Sequence, residues 1–236
     1  MICDTKSLET MLDYIRWGAS CFATQGLFFG HGTDNALDES VALVLHALKL
    51  RHDLPPMYLQ SRVTKQEREA IEALFKRRIM ERVPAPYLTN HVMFAGYSFY
   101  VDERALVPRS PIAELIEKRF QPWINPERVT RILDLCTGSG CIGIASAHKF
   151  PQATVDLVDI SPQALELAWE NITRHGLEDR VHTIKSDLFK FVDKNRYDII
   201  ISNPPYVSSG EMQELPKEYR HEPALGLEAG NDGLDI

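Results

Sequence analysis

From residue 131 to residue 202 short apolar runs alternate with longer mixed ones, and no other feature limits the fold as tightly. The runs 131–137, 154–160, 181–187 and 197–202 read as strands, rich in Val, Ile and Leu and too short for helices. Between the first two, 141–150 reads as a helix. Ser161-Pro162 opens another, with Ser as cap and Pro at a position whose N–H needs no partner, and Gly176 stops it. Strands separated by helices must run parallel, so the expected fold is α/β with a parallel, doubly wound sheet. The run 197–202 is apolar enough to be expected buried on both faces.

In such a sheet ligands bind beyond the carboxyl ends of the strands, and four groups of residues fall there. The first is Asp134-Leu-Cys-Thr137-Gly138-Ser-Gly140-Cys-Ile-Gly143, a strand running through a glycine loop into a helix. Glycine permits sharp turns and close backbone approach to a ligand. The order, acid before glycines, is not the GxGxxG of a nicotinamide site. It suits an amino acid and a ribose, with a plain tight turn as the competing reading. The second is Asp159, about 20 residues on, where a carboxylate can accept both ribose hydroxyls or cap the next helix. The third is Asp187, an acceptor for an adenine amino group or a turn aspartate. The fourth is Asn203-Pro204-Pro205-Tyr206. Two prolines stiffen the backbone. The Asn203 side-chain oxygen and the Pro204 carbonyl then face a planar NH2 group as two acceptors for its two donors. Tyr206 offers a face for stacking.

The first half reads differently. Residues 8–21, 35–50 and 65–81 carry apolar positions at helical spacing, with Thr33-Asp34 as a cap for the second. Pro55-Pro56 and Pro84-Ala85-Pro86 mark connections. Residues 92–107, around Gly96, read as a β-hairpin. The basic residues between 65 and 82 suit a solvated helix face, with nucleic-acid contact as the alternative. His31, Asp34, Asp38 and Glu39 follow no standard metal-ligand spacing and read as loop and cap, so no metal is expected. The net charge of -7 argues against a surface that tracks phosphate backbones. Four cysteines, Cys3, Cys21, Cys136 and Cys141, form no CxxC. With no apolar run long enough to span a membrane and no signal core, the expected setting is a reducing cytoplasm.

Taken together, Asp134 to Gly143, Asp159, Asp187 and Asn203 to Tyr206 resemble the motif series of class I S-adenosylmethionine-dependent methyltransferases. The NPPY tetrapeptide is shared by adenine N(6)-methyltransferases and protein glutamine N(5)-methyltransferases. Glu222-Pro-Ala-Leu, Gly230-Asn-Asp-Gly-Leu and the hairpin ending Leu-Val-Pro-Arg109 resemble the glutamine group. Release-factor methyltransferases follow Pro-Arg with Pro-Glu-Thr-Glu, whereas here Arg109-Ser110-Pro111-Ile112 follows. The segments 27–39 and 82–89 resemble the branch that methylates a glutamine of large-subunit ribosomal protein L-three.

The resemblance implies a Rossmann-like sheet and S-adenosylmethionine as cofactor. It implies Asp134, Thr137, Gly138, Gly140, Asp159, Asp187 and Asn203 as cofactor contacts, and Asn203, Pro204, Pro205 and Tyr206 as the catalytic set. The partner it implies is ribosomal protein L-three, free or in an assembling subunit, with nucleic-acid contact at most indirect. A helical substrate-recognition domain over 1–91, a hairpin linker over 92–108 and a methyltransferase domain over 109–236 are the expected parts. A complete sheet of this class has more strands than the four read here, so the sheet is expected to be truncated after its fourth. Three functions stay in play: a protein glutamine methyltransferase (L-three or release factor), an adenine methyltransferase, and a cofactor-binding module without catalysis.

Overall fold

A computed structural model describes residue 5, residues 7–192 and residues 196–236. Cys3 lies outside the described residues. The chain forms two compact units, Met1–Thr89 with Pro216–His221, and Asn90–Leu215 with Glu222–Ile236.

The first unit is helical. Helix α1 (Met11–Thr24) starts at Thr10, whose hydroxyl takes the Asp13 N–H while Asp13 returns a bond to the Thr10 N–H. Such a box satisfies donors the first turn leaves open. Helix α2 (Ala36–Ala47) is capped by Asn35, not by Thr33-Asp34. Thr33 instead donates to Glu39 at 3.1 Å. Helix α3 (Lys65–Lys76) widens into a π-helical turn over Arg77–Glu81, and a short helix α4 (Ala85–Thr89) occupies the stretch expected as a connection. Phe75 of α3 packs between Trp17 and Phe22 of α1, with ring centroids 5.6 and 5.0 Å away.

Arg78 corrects the reading of a solvated basic face. Its side chain is only 1% exposed. It donates to Glu39 at 2.6 Å, to Glu218 at 3.1 Å and to the Phe28 carbonyl at 2.7 Å. Glu218 also takes the Phe28 N–H at 3.1 Å. This network occupies Glu39 and seats Pro216–His221 among the helices.

The second unit opens with a hairpin, β1 (Val92–Phe94) and β2 (Tyr97–Phe99), and a short helix, α5 (Ile112–Glu117). Strand β3 (Arg131–Leu135), helix α6 (Cys141–Lys149), β4 (Thr154–Asp159), α7 (Pro162–His175), β5 (Val181–Lys185) and β6 (Ile199–Ser202) follow. A short helix, α8 (Ser209–Glu214), comes next. The sheet order is β5-β4-β3-β6, all parallel. The chain therefore reverses direction across the sheet between β3 and β6, and a crevice forms at such a switch point.

Two expectations change here. The hairpin clusters with the second unit rather than standing as a linker over 92–108. Its Tyr97 stacks on His148 at 4.5 Å, and His175 bonds both His148 and the Ser98 carbonyl, at 2.9 and 3.0 Å. Strand β6 is not buried on both faces. Among the described residues it pairs with β3 alone, and Ile200 is 54% exposed.

Candidate active site

At the carboxyl ends of the four strands lies a cavity of about 490 Å³, within the range of small-molecule sites. Thr137 and Gly138 enter it after β3, Asp159 at the end of β4, Asp187 after β5, and Asn203 to Tyr206 after β6. Sequence positions spread over 70 residues thus meet because parallel strands all end on one edge. Asp134 and Gly140 do not line the cavity; they build its floor.

The floor is a strained turn. Cys136 holds a left-handed φ of 57°, uncommon outside glycine. Gly140, at φ 82°, starts α6, and a Cβ there would sit 3.1–3.2 Å from Ile144, Ala168 and Leu157. Asp134 is fully buried. Its Oδ2 accepts the Thr137 hydroxyl at 2.6 Å and the Gly143 N–H at 2.9 Å. Its Oδ1 has no hydrogen-bond partner among the described residues. Asn171 of α7, also fully buried, fastens the loop from behind. It donates to the Ser139 carbonyl at 2.9 Å and exchanges two bonds with the Tyr100 backbone.

Burial raises the Asp134 carboxyl to about 7, against the pull of the Thr137 and Gly143 bonds. In the unfolded chain the group ionises near 3.8. Between these values the unfolded state loses its proton first, so stability falls as pH rises from about 4 to 7, by up to roughly 4 kcal/mol. Below that window both states are protonated and the group contributes nothing. Asp134→Asn should flatten this part of the stability profile of the cofactor-free protein in denaturant titrations. Identical slopes for the two proteins would refute the assignment.

Asp159 is half-buried and already engaged. Its Oδ2 takes the Gly138 N–H and its Oδ1 the Ser161 N–H, both at 2.9 Å. Each oxygen keeps acceptor capacity toward the cavity. Asp187 is exposed within it, and its side chain makes no hydrogen bond among the described residues. At the far wall, Ser202 donates to the Leu135 carbonyl at 3.1 Å, tying the end of β6 to β3 just before the tetrapeptide. Among the described residues neither the Asn203 side chain nor the Pro204 carbonyl accepts a hydrogen bond, and Tyr206 is 70% exposed. Beyond it, Val207 exchanges backbone bonds with Leu227 and Ala229, both at 2.9 Å.

Comparisons with known proteins bear on this site. The family described as Methyltransferase small domain matches residues 118–218. The chain is 57% identical to the ribosomal protein uL3 glutamine methyltransferase of Xanthomonas campestris pv. campestris, over 97% of the chain and 74% of that protein. Identity is 55% to the enzyme of the same name from Xylella fastidiosa, over 97% and 73%. It is 48% to that of Francisella tularensis, over 98% and 74%. The chain belongs to the ribosomal protein uL3 glutamine methyltransferase family.

Members of a methyltransferase family draw on S-adenosylmethionine, and the residues of this cavity fit it. The carboxylates of Asp159 and Asp187 and the backbone at Gly138 line it, acceptors and space of the kind a ribose and an exocyclic amine need. Neither of the two thiols lining the cavity, Cys136 and Cys141, is poised as a nucleophile. Burial pushes Cys136 up to about 11 and Cys141 to about 12, so both stay protonated at neutral pH. Among the described residues no three His, Cys, Asp or Glu side chains gather as a metal site. Nor is any helix there long and apolar enough to cross a membrane.

Sequence reasoning missed four residues that support the site. Asn171 gave no signal beyond a polar residue in an amphipathic helix. Leu188, with a φ of 47° at the cavity wall, gave none at all. Arg109 and Glu222 stood inside family motifs without a role.

Proposed function

We infer that this chain transfers the methyl group of S-adenosylmethionine to the side-chain amide nitrogen of a glutamine in ribosomal protein uL3. Identity of 57% to a named uL3 glutamine methyltransferase, over nearly the whole chain, carries this reading. Asn203 and Pro204, standing in the cavity with free acceptors, supply its chemistry. Release-factor and adenine substrates are disfavoured by the same identity. A ribosomal protein as substrate implies a cytoplasmic setting and at most indirect contact with nucleic acid.

Asp159 and Asp187 would hold S-adenosylmethionine, which would supply an electrophilic methyl on a sulfonium. The rest of the task falls to the protein. An amide nitrogen is a weak nucleophile because its lone pair is delocalised into the carbonyl. Asn203 Oδ1 and the Pro204 carbonyl accept the two N–H groups and aim the nitrogen. Alignment of this kind can account for about 7–11 kcal/mol of a barrier. The same acceptors act most strongly if they fit the pyramidal nitrogen of the transition state better than the planar amide. Tyr206 covers the flat face of the amide. No strong base is required at the nitrogen, because it becomes acidic once methylated and releases its proton afterwards.

The test is incubation with tritiated S-adenosylmethionine and ribosomal extract, followed by protease or nuclease. Label released by protease and mapping to a uL3 glutamine supports the reading. Label released by nuclease, or no label, overturns it.

A further inference from the structure

We propose that the Arg109–Glu222 ion pair is a positioning clamp for methyl transfer, acting on the Asn203–Tyr206 tetrapeptide through the strip 222–230. The inference rests on the function proposed above and adds residues to it.

The Glu222 side chain is fully buried, while that of Arg109 is 27% exposed. The guanidinium meets the carboxylate with both terminal nitrogens, at 2.6 Å each, and Glu222 also takes the Val107 N–H at 2.9 Å. A bidentate, charge-assisted contact fixes direction as well as distance. Val107 and Arg109 line one wall of the cavity, and the strip that Glu222 begins lines another. That strip is what holds the residue after the tetrapeptide. Leu227 accepts the Val207 N–H, and Ala229 donates to the Val207 carbonyl. One step on, the Ser209 N–H reaches the Gly230 carbonyl at 2.8 Å and its hydroxyl reaches Glu228 at 2.5 Å.

The tetrapeptide is thus anchored at both ends. Ser202 ties its start to β3, and Val207 ties its end to a strip whose own anchor is Glu222. The prolines stiffen the piece between. Loosening Glu222 frees the far anchor and leaves the sheet and the Asp159 side of the cavity as they are. Arg109 and Glu222 bond each other and the Val107 backbone, so they position the reacting groups and take no part in proton or methyl movement.

The experiment uses the intact chain with uL3 as substrate, in wild type, Glu222→Gln and Arg109→Lys. Glu222→Gln removes the charge, and Arg109→Lys keeps it but loses the fork. We expect kcat to fall about tenfold or more in each, with the dissociation constant of S-adenosylmethionine within about twofold of wild type. Backbone amides of Val207 and Ala229 should exchange faster with deuterium in the cofactor-free variants, while those of β3 and β4 do not. Combined with Asn203→Ala, Glu222→Gln should cost far less than it does alone, because both act through one unit. Should Glu222→Gln not fold, Arg109→Lys carries the same three measurements. Multiplicative losses in the double variant, or unchanged Val207 and Ala229 exchange, overturn the clamp while the function stands. Failure of wild type to label uL3 overturns the function and the clamp together.

Discussion

Replacing Asn203 by Ala is expected to lower turnover on uL3 by about 10²–10³-fold, the size of loss seen when one preorganised polar contact to a reacting group is removed. The loss should fall on kcat, because the contact matters most as the nitrogen leaves the amide plane. Cofactor binding should persist, since Asp159 and Asp187 sit on other strands. Isothermal calorimetry and single-turnover kinetics on the same preparation separate the two. A variant that loses S-adenosylmethionine binding yet turns over normally at saturation would place Asn203 on the cofactor instead.

The second large effect concerns stability. Arg78→Ala is expected to reduce the unfolding free energy by about 3–5 kcal/mol, because it strands Glu39 as a buried charge without its cation and leaves Glu218 only the longer Arg82 contact at 3.5 Å. Replacing all three residues with apolar ones of similar volume should recover most of that loss. Denaturant titration of the single and triple variants decides the matter. A single variant within about 1 kcal/mol of wild type, the size of a surface pair, would mean the network contributes little.

These two residues also mark where the sequence could be read and where it could not. Asn203 was legible because its surroundings are local. A strand, two prolines and an aromatic ring lie within a few positions of it, and a parallel sheet sends all such strand ends to one edge. Asp159 and Asp187 were legible for the same reason. Arg78 was not. Its partners lie 39 and 140 residues away, so the spacing of charges over 65–81 showed only an amphipathic face. Asp134 was half-legible. The pattern put it at the glycine loop, but only the packing shows that it turns inward to Thr137 and Gly143 and leaves the cavity to others. The run ending in β6 misled through composition. Three consecutive isoleucines look doubly buried, yet burial depends on what pairs with the strand, and Ile200 faces outward.

Asp159 performs two duties with one carboxylate. It organises Gly138 and Ser161, and it keeps lone pairs open to the cavity. Under the proposed function, any change at this position reshapes the loop together with the ligand contact, which ties cofactor choice to local folding. Asp187 has no such bond to its neighbours among the described residues. Under the proposed function, redesign of the pocket for synthetic methyl donors should begin at Asp187, whose side chain no neighbour among the described residues holds.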